Sequence, residues 1–309
     1  MSLLILSPSR ETKSWVASIK QSDPIIEVFV YPEAIDNDAV EFALVWNHPY
    51  GCLKRYPNLK CISSMGAGVD YLLKDPDLPE NVPITRIVDP ELSETMFEFI
   101  LAIVMNHLRN LTYFKQLQIK EEWKPSIYKR IEDVQIGIMG YGVIGSYVAN
   151  RLSNCGFSVK AWSQNKKPDK NIEQFVGEYD FKSFMQNTEI LICLLPSTDK
   201  TKGLLNKQTL GFLPQGASLI NVARGNILID EDLIELLDSG HLKRASLDVF
   251  SQEPLPENHP FWKHEKIDIT PHIASLTNPK SVAPQIVANY RRMKGGEPLM
   301  NQVSIEKGY

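Results

Sequence analysis

The sequence predicts an α/β protein of two doubly wound parallel-sheet domains. Three observations predict it. Short apolar runs recur along the chain, separated by stretches of helical length and periodicity. Strands that are apolar at nearly every position are those buried on both faces, as in a parallel sheet covered by helices. The runs form two series on either side of the longest helical signal, and 309 residues exceed what one ordinary core holds while suiting two.

The elements follow in order. The first series of strands is expected at 3–6, 25–29, 42–45, 61–64 and 84–86. Asp89 then offers an N-cap and Pro90 a first helical residue with no amide hydrogen to leave unpaired. Leu92, Met96, Phe99 and Ile103 follow on one helical stripe, so a linking helix is expected to about Leu111. The second, denser series is expected at 134–139, 158–162, 190–195, 218–222, 245–249 and 267–269. A last helix over 280–293 carries the chain back to the first domain. That domain is therefore discontinuous, 1–98 with 277–309, and the second domain is inserted as 99–276.

Composition excludes several function classes. Lysine and arginine (33) against aspartate and glutamate (37) give a net charge of −4. That is no footprint for nucleic acid and no polybasic membrane patch. The apolar run at 3–6 is too short for a signal peptide or a membrane span. Four scattered cysteines, Cys52, Cys61, Cys155 and Cys193, fit neither a disulfide framework nor a zinc site, so no metal is expected. These features suit a reduced, cytoplasmic protein.

Gly140-Tyr141-Gly142-Val143-Ile144-Gly145 matches GxGxxG, follows a predicted strand and opens a helix, the context in which the motif binds a dinucleotide. Gly140 makes the tight turn, Gly142 lets backbone approach a pyrophosphate, and Gly145 lets helix and strand pack closely. Val143 and Ile144 supply amides at the helix N-terminus, where the dipole favours an anion. The second domain is thus expected to be a Rossmann cofactor domain. A site for NAD(H) wants a carboxylate at the end of the next strand, on the ribose 2′-hydroxyl. This chain has Ser163, Lys166 and Lys167 there, which suit a 2′-phosphate. NADP(H) is expected to be preferred, with NAD(H) as the alternative.

Three further segments follow strands of the second series: Asn221-Val222-Ala223-Arg224-Gly225, the stretch from Leu247 to Pro256 that contains Asp248 and Glu253, and Thr270-Pro271-His272-Ile273-Ala274. With the glycine loop they resemble the D-isomer-specific 2-hydroxyacid dehydrogenase family, over essentially the whole chain. The glyoxylate/hydroxypyruvate reductase A type is the nearest resemblance, through Trp162-Ser163, Leu194-Leu195-Pro196, Asp248-Val249-Phe250-Ser251 and Lys294-Gly295-Gly296-Glu297-Pro298.

The resemblance implies reduction of a short 2-oxo acid, glyoxylate or hydroxypyruvate, to the D-hydroxy acid, in a cleft between a flavodoxin-like substrate domain and the cofactor domain. His272 would be the proton donor. Glu253 would orient its ring and favour the protonated form. Arg224 would bind the substrate carboxylate and polarise the carbonyl. The backbone at Ala67 and Gly68 would meet that carboxylate, with Trp46 at the edge of the pocket. Leu195, Pro196, Val222, Ala223 and Asp248 would line the cofactor. His48, His107, His241, His259 and His264 carry no motif and read as structural. The resemblance also implies a homodimer, with residues 114–128 and Trp123 as its arm. Two other readings stay open, a dehydrogenase for a bulkier acid such as phenylpyruvate and a non-catalytic nucleotide sensor like the family's corepressors; assays with several 2-oxo acids separate them.

Overall fold

The computed structural model describes residues 2–33 and 36–308. The chain forms two compact units, Met1–Leu92 with Thr277–Tyr309, and Ser93–Leu276. The division falls at 92/93 within the helix Pro90–Arg109, against 98/99 read from the sequence.

The first unit is built on five parallel strands, β1 (Ser2–Leu6), β2 (Glu27–Val30), β3 (Val40–Val45), β4 (Cys61–Ser64) and β5 (Ile84–Thr85), in the order β2-β1-β3-β4-β5. Successive side chains on a strand face opposite ways. Leu3, Ile5, Phe42 and Leu44 accordingly pack with Ile19, Ile286 and Tyr290, while Leu4, Leu6, Ala43 and Val45 pack with Leu53 and Leu72. The helices Lys13–Ser22 and Pro279–Gly295 pack on one another. The strand order reverses between β1 and β3, and such a reversal opens a crevice at the carboxyl ends of the two strands.

The second unit holds seven parallel strands, β6 (Gln135–Met139), β7 (Ser158–Ser163), β8 (Glu173–Val176), β9 (Ile190–Cys193), β10 (Ala217–Asn221), β11 (Leu242–Leu247) and β12 (Ile267–Ile269). Their order is β12-β11-β10-β9-β6-β7-β8, the doubly wound arrangement, reversing between β6 and β9. One face packs Met139, Leu191, Cys193 and Leu219; the other packs Ile136, Ile138, Ile192 and Ile220. Among the described residues no helix is long and apolar enough to cross a membrane.

Several elements differ from expectation. The edge strand β8 was not predicted, because Glu173 is exposed and its other residues are only half-buried, leaving no apolar run to read. The strand expected from residue 25 begins at Glu27, since Ile25 is exposed. The strand expected over 190–195 stops at Cys193, and that expected over 245–249 runs instead over Leu242–Leu247. The linking helix ends at Arg109, because Asn110 adopts the left-handed conformation (φ 54°), and a second helix runs over Leu111–Ile119.

Candidate active site

The glycine loop lies between the end of β6 and the helix Val143–Asn154, at the reversal of the larger sheet. Gly140 has φ +109°, and a Cβ there would stand 2.7 Å from the Leu194 carbonyl oxygen, so the turn excludes any larger residue. A Cβ at Gly145 would sit 1.8 Å from the Gly140 carbonyl oxygen, so helix and turn touch backbone to backbone. Gly142 is the N-cap of the helix and has open space on its side-chain face. The loop therefore has the shape of an anion cradle, with Val143 exposed and Ile144 half-buried at its helical end.

After β7, Ser163 is half-buried and donates to the Asn165 carbonyl at 2.8 Å; Lys166 and Lys167 are exposed. Neither lysine has an ion-pair partner among the described residues. The nearby carboxylate, Asp169, accepts from Tyr141 at 2.5 Å and from Asn150 at 2.8 Å. Those hydrogen bonds, Asn150 first, hold its pKa below the ordinary aspartate range. The loop thus offers two uncommitted cations and one committed anion. Leu195, Val222 and Ala223 are buried and Pro196 half-buried where the chain leaves β9 and β10.

Arg224, Glu253 and His272 come together, each from the segment that follows a strand. Glu253 meets His272 directly, Oε2 to Nδ1 at 2.7 Å. Its other oxygen accepts from the Phe250 amide at 2.9 Å. Burial alone would raise the Glu253 pKa, but the hydrogen bonds from His272 and Phe250 and the charges of His272 and Arg224 outweigh it and hold it below the ordinary glutamate range. The carboxylate therefore stays ionised at neutral pH. Arg224 is half-buried, with Nη1 donating to the Ala223 carbonyl at 2.7 Å. Its neighbour Gly225 fixes the loop, since a Cβ there would lie 1.8 Å from the Phe250 carbonyl carbon. The loops carrying Arg224 and Glu253 are thus in backbone contact.

His272 has φ 54°, a conformation histidine adopts at some cost. Asp248 holds it there. Its carboxylate, 1% exposed, accepts from the Thr270 hydroxyl (2.6 Å) and the amides of Ile273 (2.9 Å) and Ala274 (2.8 Å), while its carbonyl accepts from the His272 amide (2.8 Å). Asp248, expected from the sequence beside the cofactor, thus also braces the histidine turn. An acid beside a β-strand end carries no signal for that role.

In the first unit, Trp46 is half-buried after β3 and stands on a turn made by Asn47 (φ 46°). His48 anchors that turn through a buried pair with Asp75 at 2.8 Å. In the second unit, His107 is buried on Ser246 at 2.7 Å, and burial with the charges of Arg244 and Lys243 lowers its pKa to about 3, so it is neutral. Ala67 and Gly68 are half-buried in the loop after β4, and neither amide donates to an acceptor among the described residues. Ser64 shapes that loop, accepting from the Gly66 amide (3.1 Å) and donating to the Gly68 carbonyl (2.8 Å).

A doubly wound dinucleotide fold with an imidazole–carboxylate pair and a guanidinium at its strand ends defines a nicotinamide-dependent oxidoreductase. The model of the D-isomer specific 2-hydroxyacid dehydrogenase NAD-binding domain matches residues 101–274, and the chain belongs to this family. Glyoxylate/hydroxypyruvate reductase A of Serratia proteamaculans is 36% identical over 314 residues, covering 100% of both chains. The crystal structure of a D-isomer specific 2-hydroxyacid dehydrogenase from Xanthobacter autotrophicus Py2, in complex with NADPH and MES, superposes with TM-score 0.96 at 37% identity, over 100% of this chain and 99% of that one. An NADPH-dependent glyoxylate/hydroxypyruvate reductase of Sinorhizobium meliloti, in complex with NADP and sulfate, gives TM-score 0.93 at 32% identity over 100% of both chains.

Proposed function

We propose that the protein reduces short 2-oxo acids, glyoxylate and hydroxypyruvate, to D-2-hydroxy acids with NADPH. The observation that carries this reading is the 2.7 Å contact between His272 and Glu253 with the Arg224 loop packed against the Glu253 loop. When bound, the dinucleotide supplies the hydride. Gly140, Gly142 and Gly145 admit its pyrophosphate, and Ser163, Lys166 and Lys167 take the 2′-phosphate. Leu195, Pro196, Val222 and Ala223 line the path of the cofactor.

The ionised Glu253 accepts the Nδ1 hydrogen of His272, so Nε2 is the nitrogen that faces substrate. His272 gives a proton from Nε2 to the carbonyl oxygen during reduction and takes it back during oxidation. The charge that Glu253 carries stabilises the protonated ring between these events. Arg224 binds the substrate carboxylate and draws electron density from the carbonyl. The amides of Ala67 and Gly68, which donate to no acceptor among the described residues, support assigning them to a substrate oxyanion, with Trp46 beside them. Asp248 keeps the His272 turn in its left-handed form.

The relatives' names support the substrates, and the two uncommitted lysines support the cofactor. Steady-state assays following NADPH absorbance test both. The expected kcat/KM is at least about tenfold higher with NADPH than with NADH, and the preference falls when Lys166 and Lys167 are both changed to glutamate, since a paired 2′-phosphate gains charge-assisted hydrogen bonds. Higher efficiency with NADH would remove the 2′-phosphate assignment. The exposed Trp123 and Ile127 support a homodimer joined through residues 114–128, and the bacterial relatives with four free cysteines here support a cytoplasmic setting.

A further inference from the structure

Arg10 belongs to no motif, yet it stands on the loop after β1, beside the end of β3 where the smaller sheet reverses. Its guanidinium carbon lies 3.7 Å from the centroid of the Trp46 ring, a stacked cation–π geometry. Trp46 in turn abuts the loop after β4: a Cβ at Gly66 would be 2.9 Å from its Cζ3. Arg10, Trp46 and the loop Gly66–Gly68 thus form one continuous edge.

Arg10 is half-buried and has neither an ion pair nor a hydrogen bond among the described residues. The adjacent acid does not serve it, because the Glu11 carboxylate accepts from the Lys13 amide (2.5 Å) and from the Ser14 amide (3.2 Å) and hydroxyl (2.8 Å) at the start of the next helix. Earlier on the same loop, the Ser7 hydroxyl is buried and also lacks a partner. Burial depresses the Arg10 pKa, with the Tyr71 phenol acting against it. A guanidinium carries five N–H donors in a planar fork, and stacking on an aromatic face leaves its edges free for a carboxylate or phosphate. Partly withdrawing such a cation from water without an anion costs free energy that a bound oxyanion restores.

We propose that Arg10 is a specificity residue, recognising a second oxyanion, a carboxylate or phosphate, of the 2-oxo acid. This rests on the reading that Trp46 and the Gly66–Gly68 loop border the substrate. Glyoxylate has no such group; oxaloacetate carries it as a carboxylate and 3-phosphohydroxypyruvate as a phosphate.

The test compares kcat/KM for glyoxylate, hydroxypyruvate, oxaloacetate and 3-phosphohydroxypyruvate at saturating NADPH in the wild type, Arg10→Ala and Arg10→Lys. Arg10→Ala is expected to lower the efficiency ratio of a dianionic acid to glyoxylate at least about tenfold, chiefly through KM, and Arg10→Lys to restore part of it. Whichever dianion shows the larger change identifies the group. An unchanged ratio, with all substrates losing alike, would reduce Arg10 to a prop for Trp46 and overturn the proposal, as would a wild type that reduces glyoxylate but neither dianion. Wild-type inactivity toward both glyoxylate and hydroxypyruvate instead defeats the reading of the reaction itself.

Discussion

The left-handed backbone at His272 is braced by one buried residue, Asp248, whose carboxylate accepts from the Ile273 and Ala274 amides and whose carbonyl accepts from the His272 amide, so the imidazole is preset before substrate arrives. Removing the ring should abolish the proton step and little else. His272→Ala is expected to cut kcat by roughly 10²- to 10⁴-fold while NADPH affinity, read by fluorescence titration, stays within about twofold. Near wild-type kcat at neutral pH would mean another group gives the proton. Glu253→Gln keeps shape but removes the charge beside Nδ1, so kcat should fall at least about tenfold with KM much less affected. Equal damage to KM alone would assign Glu253 to substrate binding. Arg224, Glu253 and His272, to which the chemistry is assigned by proposal, stand out in the sequence because each sits in a short pattern after a buried strand. Arg10 and Asp248 do not, since their roles depend on neighbours far away in sequence, Trp46 for one and the 270–274 turn for the other.

Among the elements, strands buried on both faces announce themselves as unbroken apolar runs, and β4 and β12 fall where the sequence puts them. The signal fades where one side of the strand has no cover, as at β8, or where one asparagine breaks a helix, as at Asn110. Within β7, Lys160 is only 2% exposed, and its amine has no hydrogen-bond partner. It rests 5.3 Å from the Phe175 ring centroid and 5.4 Å from that of Phe184. Burial lowers its pKa to about 8, against a smaller opposing pull from Glu173. A lysine depressed on folding weakens the fold while the unfolded chain keeps its proton, so the cost is full below pH 8 and fades as pH rises toward 10.5. Lys160→Met should therefore stabilise by up to about 3 kcal/mol at pH 7, and the gain in Tm should shrink by pH 10. A constant gain across that range would point to packing in place of charge.

For the whole molecule, the discontinuous first unit and the inserted second follow from one pattern legible in sequence, two series of strands with a returning helix at the end. Association is the property that belongs to this scale. Ile119, Trp123 and Ile127 are 75%, 97% and 98% exposed, too much apolar surface on one short stretch to be left in water without consequence. Sedimentation at micromolar concentration should give twice the 35.0 kDa chain mass, and Trp123→Glu with Ile127→Glu should shift it toward one chain. An unshifted mass in the double variant would place the contact elsewhere.

The backbone contact between Gly225 and Phe250 has a consequence for how such an enzyme diversifies. The loops that carry the Arg224 guanidinium and the Glu253 carboxylate are riveted to the same few atoms, so nearly any insertion there would shift the two groups against each other. The loop after β1, Ser7 to Thr12, holds no glycine locked against another loop in this way. Appetite for new acids is therefore free to drift in Arg10 and its surroundings while the chemistry stands still.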